Sequence, residues 1–297
     1  MLCTIGDIVQ DVVVWLEEDV RPATDTKSTI TVRRGGSAAN TAAFAGRRHP
    51  TRFIGCVGDD LAGVALTQDL ERLGVDVRMQ VAGTTGMIVL LVGTDGERMM
   101  FPSRGASGMI APVDPAWLAD VTLVHLTGYS LAGEPSASSV IAAAERVHAA
   151  GGRVSIDVSS TGMIAGFGVE RFVDLLRSLR PDFVSANLEE ATLLGLHPEA
   201  PDGGWLRDLP DTVVLVRAGA EPTRILQGGR LLATVPVPPV ADVLDVTGAG
   251  DAFNAGFLTS ILDGSTLVQA CESGHALARR VLGCPGASEP DDLTAPA

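Results

Sequence analysis

The stretch Asp245-Val246-Thr247-Gly248-Ala249-Gly250-Asp251-Ala252-Phe253-Asn254-Ala255-Gly256-Phe257-Leu258 carries the most chemistry in the chain. Gly-Ala-Gly directly before an apolar helix exposes backbone N–H groups at the positive end of the helix dipole, which makes a cradle for an anion. Asp251 falls in the first turn beside that cradle. A carboxylate there can take a proton from an attacking hydroxyl while the N–H groups hold a phosphate. Taken alone, G-A-G-D is more often an ordinary helix start, with the acid on the dipole and the glycines in a tight turn. Two other groups of residues bear on the choice. Asp11 and Asn40 are a short carboxylate and an amide of the kind that fix vicinal hydroxyls. The alternatives are a solvated acid at a strand end and an amide inside a helix, although Asn40 in an Ala/Thr-rich run is awkward without a partner. Asn187 and Glu190 stand at i and i+3 in a first helical turn, so both reach one end of the sheet. The same spacing makes a capping box, and the two alternatives stand level.

Composition narrows the field. The 297 residues hold 22 Lys+Arg against 36 Asp+Glu, a formal charge of −14. An acidic chain is a poor partner for nucleic acid, which needs clustered basic residues. Lys27 is the sole lysine, so no G-x-x-x-x-G-K-[ST] phosphate loop exists. A lysine Schiff base is confined to Lys27, whose polar surroundings do little to lower its pKa. Cys3, Cys56, Cys271 and Cys284 match no metal or redox spacing and read as small hydrophobic residues in a reducing compartment. At 46% hydrophobic there is ample material for a large core. No apolar run approaches the roughly 18 residues that span a bilayer, and the first residues lack a basic leader. A cytoplasmic protein with no membrane partner is expected.

The elements that must position these residues follow from periodicity. Leu2–Ile8 reads as a buried strand, followed by Asp11–Leu16 and Ser28–Arg33, the latter alternating at period two. Gly35-Gly36 then opens a small-residue helix over Ser37–Ala45 with Ser37 as its expected N-cap. Thr51–Val57 reads as a strand and Leu61–Leu73 as a helix closed by Gly74. Between Asp76 and Met109 the texture is β-rich, and Asp95-Gly96 between Met87–Val92 and Arg98–Phe101 signals a hairpin. Beyond Asp114, strands at Val121–Leu126, Val154–Val158, Phe183–Ala186 and Val213–Val216 alternate with helices at Ser136–Ala150, Val169–Arg180, Leu188–Leu194 and Gly204–Leu209. Alternation of this kind predicts a parallel α/β sheet covered on both faces. Asp251–Leu262 and Thr266–Leu282 read as two closing helices, and residues 288–297 as a fraying tail. The expected whole is one α/β domain, residues 1–297, with a β-rich lid inserted as two pieces, roughly 10–34 and 76–108.

With these elements in place, Asp245–Leu258 resembles the C-terminal signature of the ribokinase-like, PfkB-type family of carbohydrate and nucleoside kinases along its whole length. Gly35-Gly36-Ser37-Ala38-Ala39-Asn40 is similar to the family's N-terminal substrate signature, and Gly55-Cys56-Val57-Gly58-Asp59-Asp60 to the segment after it. Thr85-Gly86 and Asp95-Gly96-Glu97-Arg98 resemble its lid hairpin, and Asn187-Leu188-Glu189-Glu190 its N-x-x-E motif. The resemblance covers nearly the whole chain. It implies a three-layer α/β/α core with a small discontinuous sheet as lid, and an ATP- and Mg²⁺-dependent kinase. It implies Asp251 as general base, Gly248, Ala249 and Gly250 as the anion hole, and Asp11, Gly35, Gly36 and Asn40 as substrate contacts. Asn187, Glu190, Arg217, Gly219 and His275 would lie at the nucleotide, with Glu190 meeting magnesium through water. Such chemistry needs in-line positioning and charge neutralisation, so backbone donors and Mg²⁺ can do without a phosphate-loop lysine.

Several positions depart from the family pattern. Val246 replaces a usual threonine, Arg217 stands where a hydroxyl or lysine is common, and Pro222 replaces the second glycine of the nucleotide turn that follows Gly219. A surface ion pair is the alternative for Arg217, and a helix histidine with a solvated tip the alternative for His275. Gly286-Ala287-Ser288 matches the monovalent-cation region only loosely. Val9 and Ser37 lack the polar groups of true ribokinases, and Asp157-Val158-Ser159-Ser160 has no nearby arginine, which disfavours ribose and acidic sugars. Arg33, Arg34 and Arg104 would be needed for a sugar phosphate, and nothing in the sequence places them at the acceptor. His125 and Tyr129 are open between pocket and core. The expected reaction is phosphoryl transfer to a primary hydroxyl of a neutral sugar or nucleoside, and a monomer and a homodimer through the lid are both open. A catalytically weak binding or regulatory relative is the alternative, and a dinucleotide oxidoreductase fails for want of a Gly-rich turn after the first strand.

Overall fold

Near-continuous apolar strands pair in parallel and lie covered on both faces, as their composition demands. The computed structural model describes residues 1–196 and 201–290. Its first half runs β1 (Leu2–Ile5), β2 (Val9–Leu16), β3 (Ser28–Gly35), α1 (Ser37–Gly46), β4 (Thr51–Val57), α2 (Leu61–Arg72), β5 (Val75–Val81), β6 (Met87–Val92) and β7 (Arg98–Ser103). It continues with β8 (Leu123–Thr127), α3 (Gly128–Leu131), α4 (Ser136–Ala149), β9 (Arg153–Asp157), α5 (Thr161–Phe167), α6 (Val169–Leu179), β10 (Phe183–Asn187) and α7 (Leu188–Leu193). The last elements are β11 (Val213–Ala218), β12 (Glu221–Gln227), β13 (Arg230–Val235), α8 (Ala249–Leu262) and α9 (Leu267–Leu282).

Among the described residues these strands form a nine-stranded sheet, ordered β13-β12-β11-β10-β9-β8-β1-β4-β5, and a four-stranded sheet, ordered β3-β2-β6-β7. From β11 to β5 every pairing in the large sheet is parallel, and the β12–β13 hairpin extends its edge antiparallel. Alternate residues serve opposite faces. On β11, Val213 and Leu215 belong to one buried cluster with Phe253 and Phe257 of α8, while Val214 and Val216 belong to another with Phe172 and Leu176 of α6. Helices α1, α2, α8 and α9 cover one face, and α4, α6 and α7 the other. The three-layer arrangement is the one expected.

Three local expectations change. The second β-rich piece does not begin at residue 76: β5 pairs parallel with β4 in the large sheet, and the small sheet resumes only at Met87. Val75–Val81 alternates like a two-faced strand, but alternation does not say which sheet an edge strand joins. Residues 204–209 are not an α-helix. Pro201–Asp208 makes a three-ten stretch, for which two glycines and a short run are sufficient cause. Ser37 is not the N-cap of α1. Gly36 is, and the Asp7 carboxylate caps the helix from outside, accepting from Ser37 N at 2.8 Å and Ala38 N at 3.2 Å. Of the tail expected to fray, residues 291–297 lie outside the described residues. The four cysteines are buried and free, and no described helix is long and apolar enough to cross a membrane.

Candidate active site

Parallel sheets place functional groups at the carboxyl ends of their strands, and here Thr127, Asp157, Asn187 and Arg217 end or nearly end β8, β9, β10 and β11. Register puts Asn187 beside Arg217 and Ser185 beside Asp157, so Asp157, Asn187 and Arg217 share the face covered by α1 and α8. Across that edge comes the N-terminus of α8. Gly248 caps it at φ 80°, and Asp251 stands in its first turn.

Asp251 is held by α1. Ser37 Oγ donates to its Oδ1 at 2.5 Å and Asn40 Nδ2 to its Oδ2 at 3.0 Å. Burial pushes the Asp251 carboxyl up to about 7; the Ser37 and Asn40 bonds oppose the rise, and the charges of Asp157 and Asp7 add to it. A carboxylate with that affinity for a proton is matched to general-base work near neutrality. Asn40 is oriented in turn: its Oδ1 accepts from Arg34 Nε at 3.2 Å, and Arg34 is also paired with Asp69. Ala249 N–H turns back onto the Val246 carbonyl at 3.2 Å, which removes it from the expected set of free anion donors. The amides of Gly250 and Asp251, in the first turn of α8, have no intrahelical acceptor by construction.

On the acceptor side, Asp11 and the two glycines are one unit. A Cβ on Gly35 would lie 2.3 Å from the Asp11 carboxylate oxygens, so only glycine lets that carboxylate sit against the chain. Gly36 holds φ 95°, a conformation that L side chains resist. Asp11 Oδ1 is buried without a hydrogen-bond partner, and burial, with the nearby Asp7 charge, pushes its carboxyl up to about 6 against the pull of Arg34. A cavity of ≈ 150 Å³ opens from Asp11 between the small sheet and residues 245–247 and 285–287.

The nucleotide-side residues also converge. A cavity of ≈ 250 Å³ is lined by Asn187, Arg217, Gly219, Thr223, Phe253 and His275 among apolar residues of α9 and of the chain entering α8. Asn187 and Glu190 do form the capping box, with Glu190 N donating to Asn187 Oδ1 and Asn187 N to Glu190 Oε2, both at 2.8 Å. That box leaves Glu190 Oε1 uncommitted, and burial, with the Asp157 charge, raises the Glu190 carboxyl. Arg217 is neither at the surface nor free. It donates to Asp157 Oδ2 at 2.8 Å, crossing from β11 over β10 to β9, and its guanidinium lies 5.7 Å from the Phe253 ring centre. Asp157, which the sequence left without an arginine, also accepts from Asn254 and Ser159. Burial alone would raise it, and the Arg217 charge with these bonds holds it below the usual carboxylate range. His275 has no solvated tip: it is buried, with Nε2 2.8 Å from Thr223 Oγ1.

Sequence reasoning did not assign Asp7, Arg34, Asp157, Thr223 or Asn254 to the site. An acid closing an apolar strand was the available signal for Asp7 and Asp157. His125 belongs to the core, fully buried with Nδ1 3.0 Å from Ser155 Oγ, and burial lowers it to about 4. Tyr129 packs under the Arg104 guanidinium, 4.8 Å from its ring centre.

The chain is similar to known kinases over most of its length. The chain is 33% identical over 285 residues to the ATP-dependent ribose-1-phosphate kinase of Halopiger xanaduensis, covering 92% of this chain and 90% of that one. It is 29% identical over 272 residues to the aminoimidazole riboside kinase of Salmonella typhimurium, covering 85% and 83%. The crystal structure of adenosine kinase from Sinorhizobium meliloti superposes with a TM-score of 0.83 at 25% identity, over 97% of this chain and 95% of that one. The family model for pfkB carbohydrate kinases matches residues 1–294, and the chain belongs to that family.

Proposed function

We propose that this kinase transfers the γ-phosphoryl group of ATP to a primary hydroxyl, the hydroxymethyl group of a sugar or nucleoside. The observation that carries this reading is the Asp251 carboxylate, raised to about 7 and held by Ser37 and Asn40 at the open N-terminus of α8. In the transfer the acceptor hydroxyl gives its proton to Asp251, its oxygen bonds to the γ-phosphorus, and the bond from that phosphorus to the β–γ bridging oxygen breaks, releasing ADP. The N–H groups of Gly250 and Asp251 face the charge that develops on the transferring group. Asp11 accepts hydrogen bonds from substrate hydroxyls. The base of the nucleotide rests in the apolar cavity beside Phe253 and His275, with Arg217 near the phosphates.

Among the described residues no group of three or more His, Cys, Asp or Glu side chains could hold a metal ion. That fits magnesium, which binds through one or two carboxylates and the substrate phosphates and keeps several waters. Glu190 and Asn187 would organise those waters, and Mg²⁺ would neutralise phosphate charge. A monovalent cation fits poorly. The Pro285 carbonyl accepts from Arg33 at 2.9 Å and the Ala287 carbonyl from Arg34 at 3.2 Å, while Asp245 accepts from Thr247 and Gly286. Guanidinium groups thus take the loop oxygens a cation would need. Rates should be equal in KCl, NaCl and choline chloride at matched ionic strength, and activation by potassium of threefold or more would contradict the assignment.

ADP release from ATP and Mg²⁺ against a panel of sugars, sugar phosphates and nucleosides tests the reaction. Turnover on at least one acceptor is expected. Saturable acceptor binding without any turnover would instead favour a binding or regulatory protein, for which Pro222 in the nucleotide turn is the supporting observation.

The small sheet suggests a self-association. Residues of one face line the cavity, Asp11, Val13, Thr31, Ile88 and Leu90 among them. The alternate set on the other face is apolar across all four strands: Val12 and Val14, Ile30 and Val32, Val89 and Leu91, Met99 and Phe101. Ile30 is 60% and Val32 56% exposed on the edge strand β3, so the apolar surface continues to the rim of the sheet. A second copy presents a matching uncharged surface. Sedimentation should find a dimer at micromolar concentration, and Val32→Glu a monomer; a monomeric wild-type chain would end the idea.

A further inference from the structure

The walls of the acceptor cavity hold three arginines, Arg33, Arg34 and Arg98, with two carboxylates, Asp11 and Asp245. Two of the arginines are spoken for. Arg34 is paired with Asp69, and Arg98 lies 3.5 Å from Asp245. Arg33 makes no ion pair among the described residues. Its guanidinium donates to the Pro285 carbonyl at 2.9 Å, and its stem lies along Gly286, where a Cβ would meet Cδ at 3.1 Å. A guanidinium has five N–H donors, so this leaves most of them for something else.

The register makes the lack of a partner conspicuous. Arg33 of β3 sits directly opposite Asp11 of β2, a placement in which opposite charges ordinarily pair. Here they do not. Arg33 reaches to the 285–287 loop, and Asp11 Oδ1 stays buried with no partner. The small sheet therefore offers an unmatched acceptor at Asp11 and, where Arg33 reaches toward the 285–287 loop, an unmatched cation, in a chain whose net charge is −14. A ligand that satisfies both has hydroxyl groups at one end and an anion at the other. The cavity of ≈ 150 Å³ equals about five water volumes at about 30 Å³ each, room for one sugar ring rather than a ring and a purine.

Resting on the kinase reading above, we infer that the acceptor is a monosaccharide monophosphate, and that Arg33 is the residue that selects it by holding its phosphate. The planar fork of a guanidinium matches phosphate geometry, and the contact is charge-assisted. Because the hydroxymethyl group must be free to receive the new phosphoryl group, the phosphate already present sits elsewhere on the ring. Ribose 1-phosphate meets this description, and methyl ribofuranoside is its uncharged counterpart with the same ring and hydroxymethyl group. The product is a sugar bisphosphate, so the neighbouring reactions must make a sugar phosphate with a free hydroxymethyl group and consume a bisphosphate.

Calorimetric titration of the full chain with both compounds, without nucleotide, tests the inference separately from catalysis. Ribose 1-phosphate should bind about 10–100-fold more tightly than the methyl riboside, and the preference should shrink as NaCl rises from 20 to 300 mM. Arg33→Ala should bring the two affinities within about threefold, and Arg33→Lys should keep part of the preference. Equal affinities in the wild-type chain, or a preference that Arg33→Ala leaves intact, would overturn it. The salt series reads the same charge without a variant, so a poorly folding Arg33→Ala does not decide the matter. Turnover of the methyl riboside with no preference for the phosphate would leave the kinase reading standing and remove this inference. A clear preference in binding without turnover of either compound would do the reverse.

Discussion

Asp251→Asn should lower kcat by about 10²–10⁴-fold, the range typical of a lost general base, with KM for the acceptor changed only a few-fold. Asparagine keeps the shape and can still accept from Ser37, so a large loss in kcat isolates the proton transfer from positioning. A decrease of less than threefold would show that the carboxylate does not take the proton. The pH profile supplies a second check. Only ionised Asp251 can act as base, and its carboxyl is raised to about 7, so kcat should climb from pH 5 and level off above about pH 8. The same group leaves a mark on stability. Between the unfolded carboxylate value near 3.9 and about 7, the folded chain holds a proton that the unfolded chain has lost. Its contribution to stability is therefore present below about pH 4 and declines as pH rises through 7. At pH 8 the Asp251→Asn chain should melt at a higher temperature than the wild type, and the difference should close toward pH 4. Activity and stability then move in opposite directions at one residue.

Arg217→Met should destabilise the fold by about 3–5 kcal/mol, the usual consequence of removing one member of a buried ion pair. Asp157 is 4% exposed and takes bonds from Arg217, Asn254 and Ser159. Without the guanidinium, its charge is left enclosed and its carboxyl rises from below the usual range. Denaturant unfolding of Arg217→Met, Asp157→Asn and the double variant separates these effects. The double variant should recover much of the loss, because two uncharged groups of similar shape leave no unpaired charge behind. A single-variant effect below 1 kcal/mol would mean that the pair is solvated in practice. Since Arg217 also lines the nucleotide cavity, KM for ATP should rise in the single variant.

What the sequence disclosed depends on range. Gly248–Asp251 and Gly35–Asn40 are contiguous, and their glycines, small residues and helix starts are local signals, so these pieces of the site could be read directly. The Arg217–Asp157 pair joins residues 60 apart on strands separated by a third strand. No spacing rule reaches that far, and Arg217 therefore stood open to a surface role. Asn187 and Glu190 stood level between cap and ligand because both descriptions hold: the box forms, and the same residues border the nucleotide cavity. The β12–β13 hairpin was partly hidden. Gly228-Gly229 between two β-rich runs marks such a turn, but Glu221 and Pro222 at its start read as loop. In the small sheet, the strands Asp11–Leu16, Ser28–Arg33 and Met87–Val92 were each visible, while the parallel pairing of β2 with the remote β6 was beyond any local window.

The small sheet is assembled from two hairpins, β2–β3 and β6–β7, with α1, β4, α2 and β5 between them in the chain. Its central pairing, β2 with β6, is parallel, and parallel strands cannot be joined by a tight turn. During synthesis the first hairpin leaves the ribosome with one face apolar, the other mixed and neither covered, and it waits about fifty residues for its partner. Closing that long connection is favourable only after β4 and β5 have docked beside β1 and carried β6 to the correct edge. The connectivity therefore implies an order: β1, β4 and β5 of the large sheet come together before the small sheet that covers the acceptor site can close. Until then, the exposed valine, isoleucine and leucine of the first hairpin are the part of the nascent chain most open to aggregation or to a chaperone.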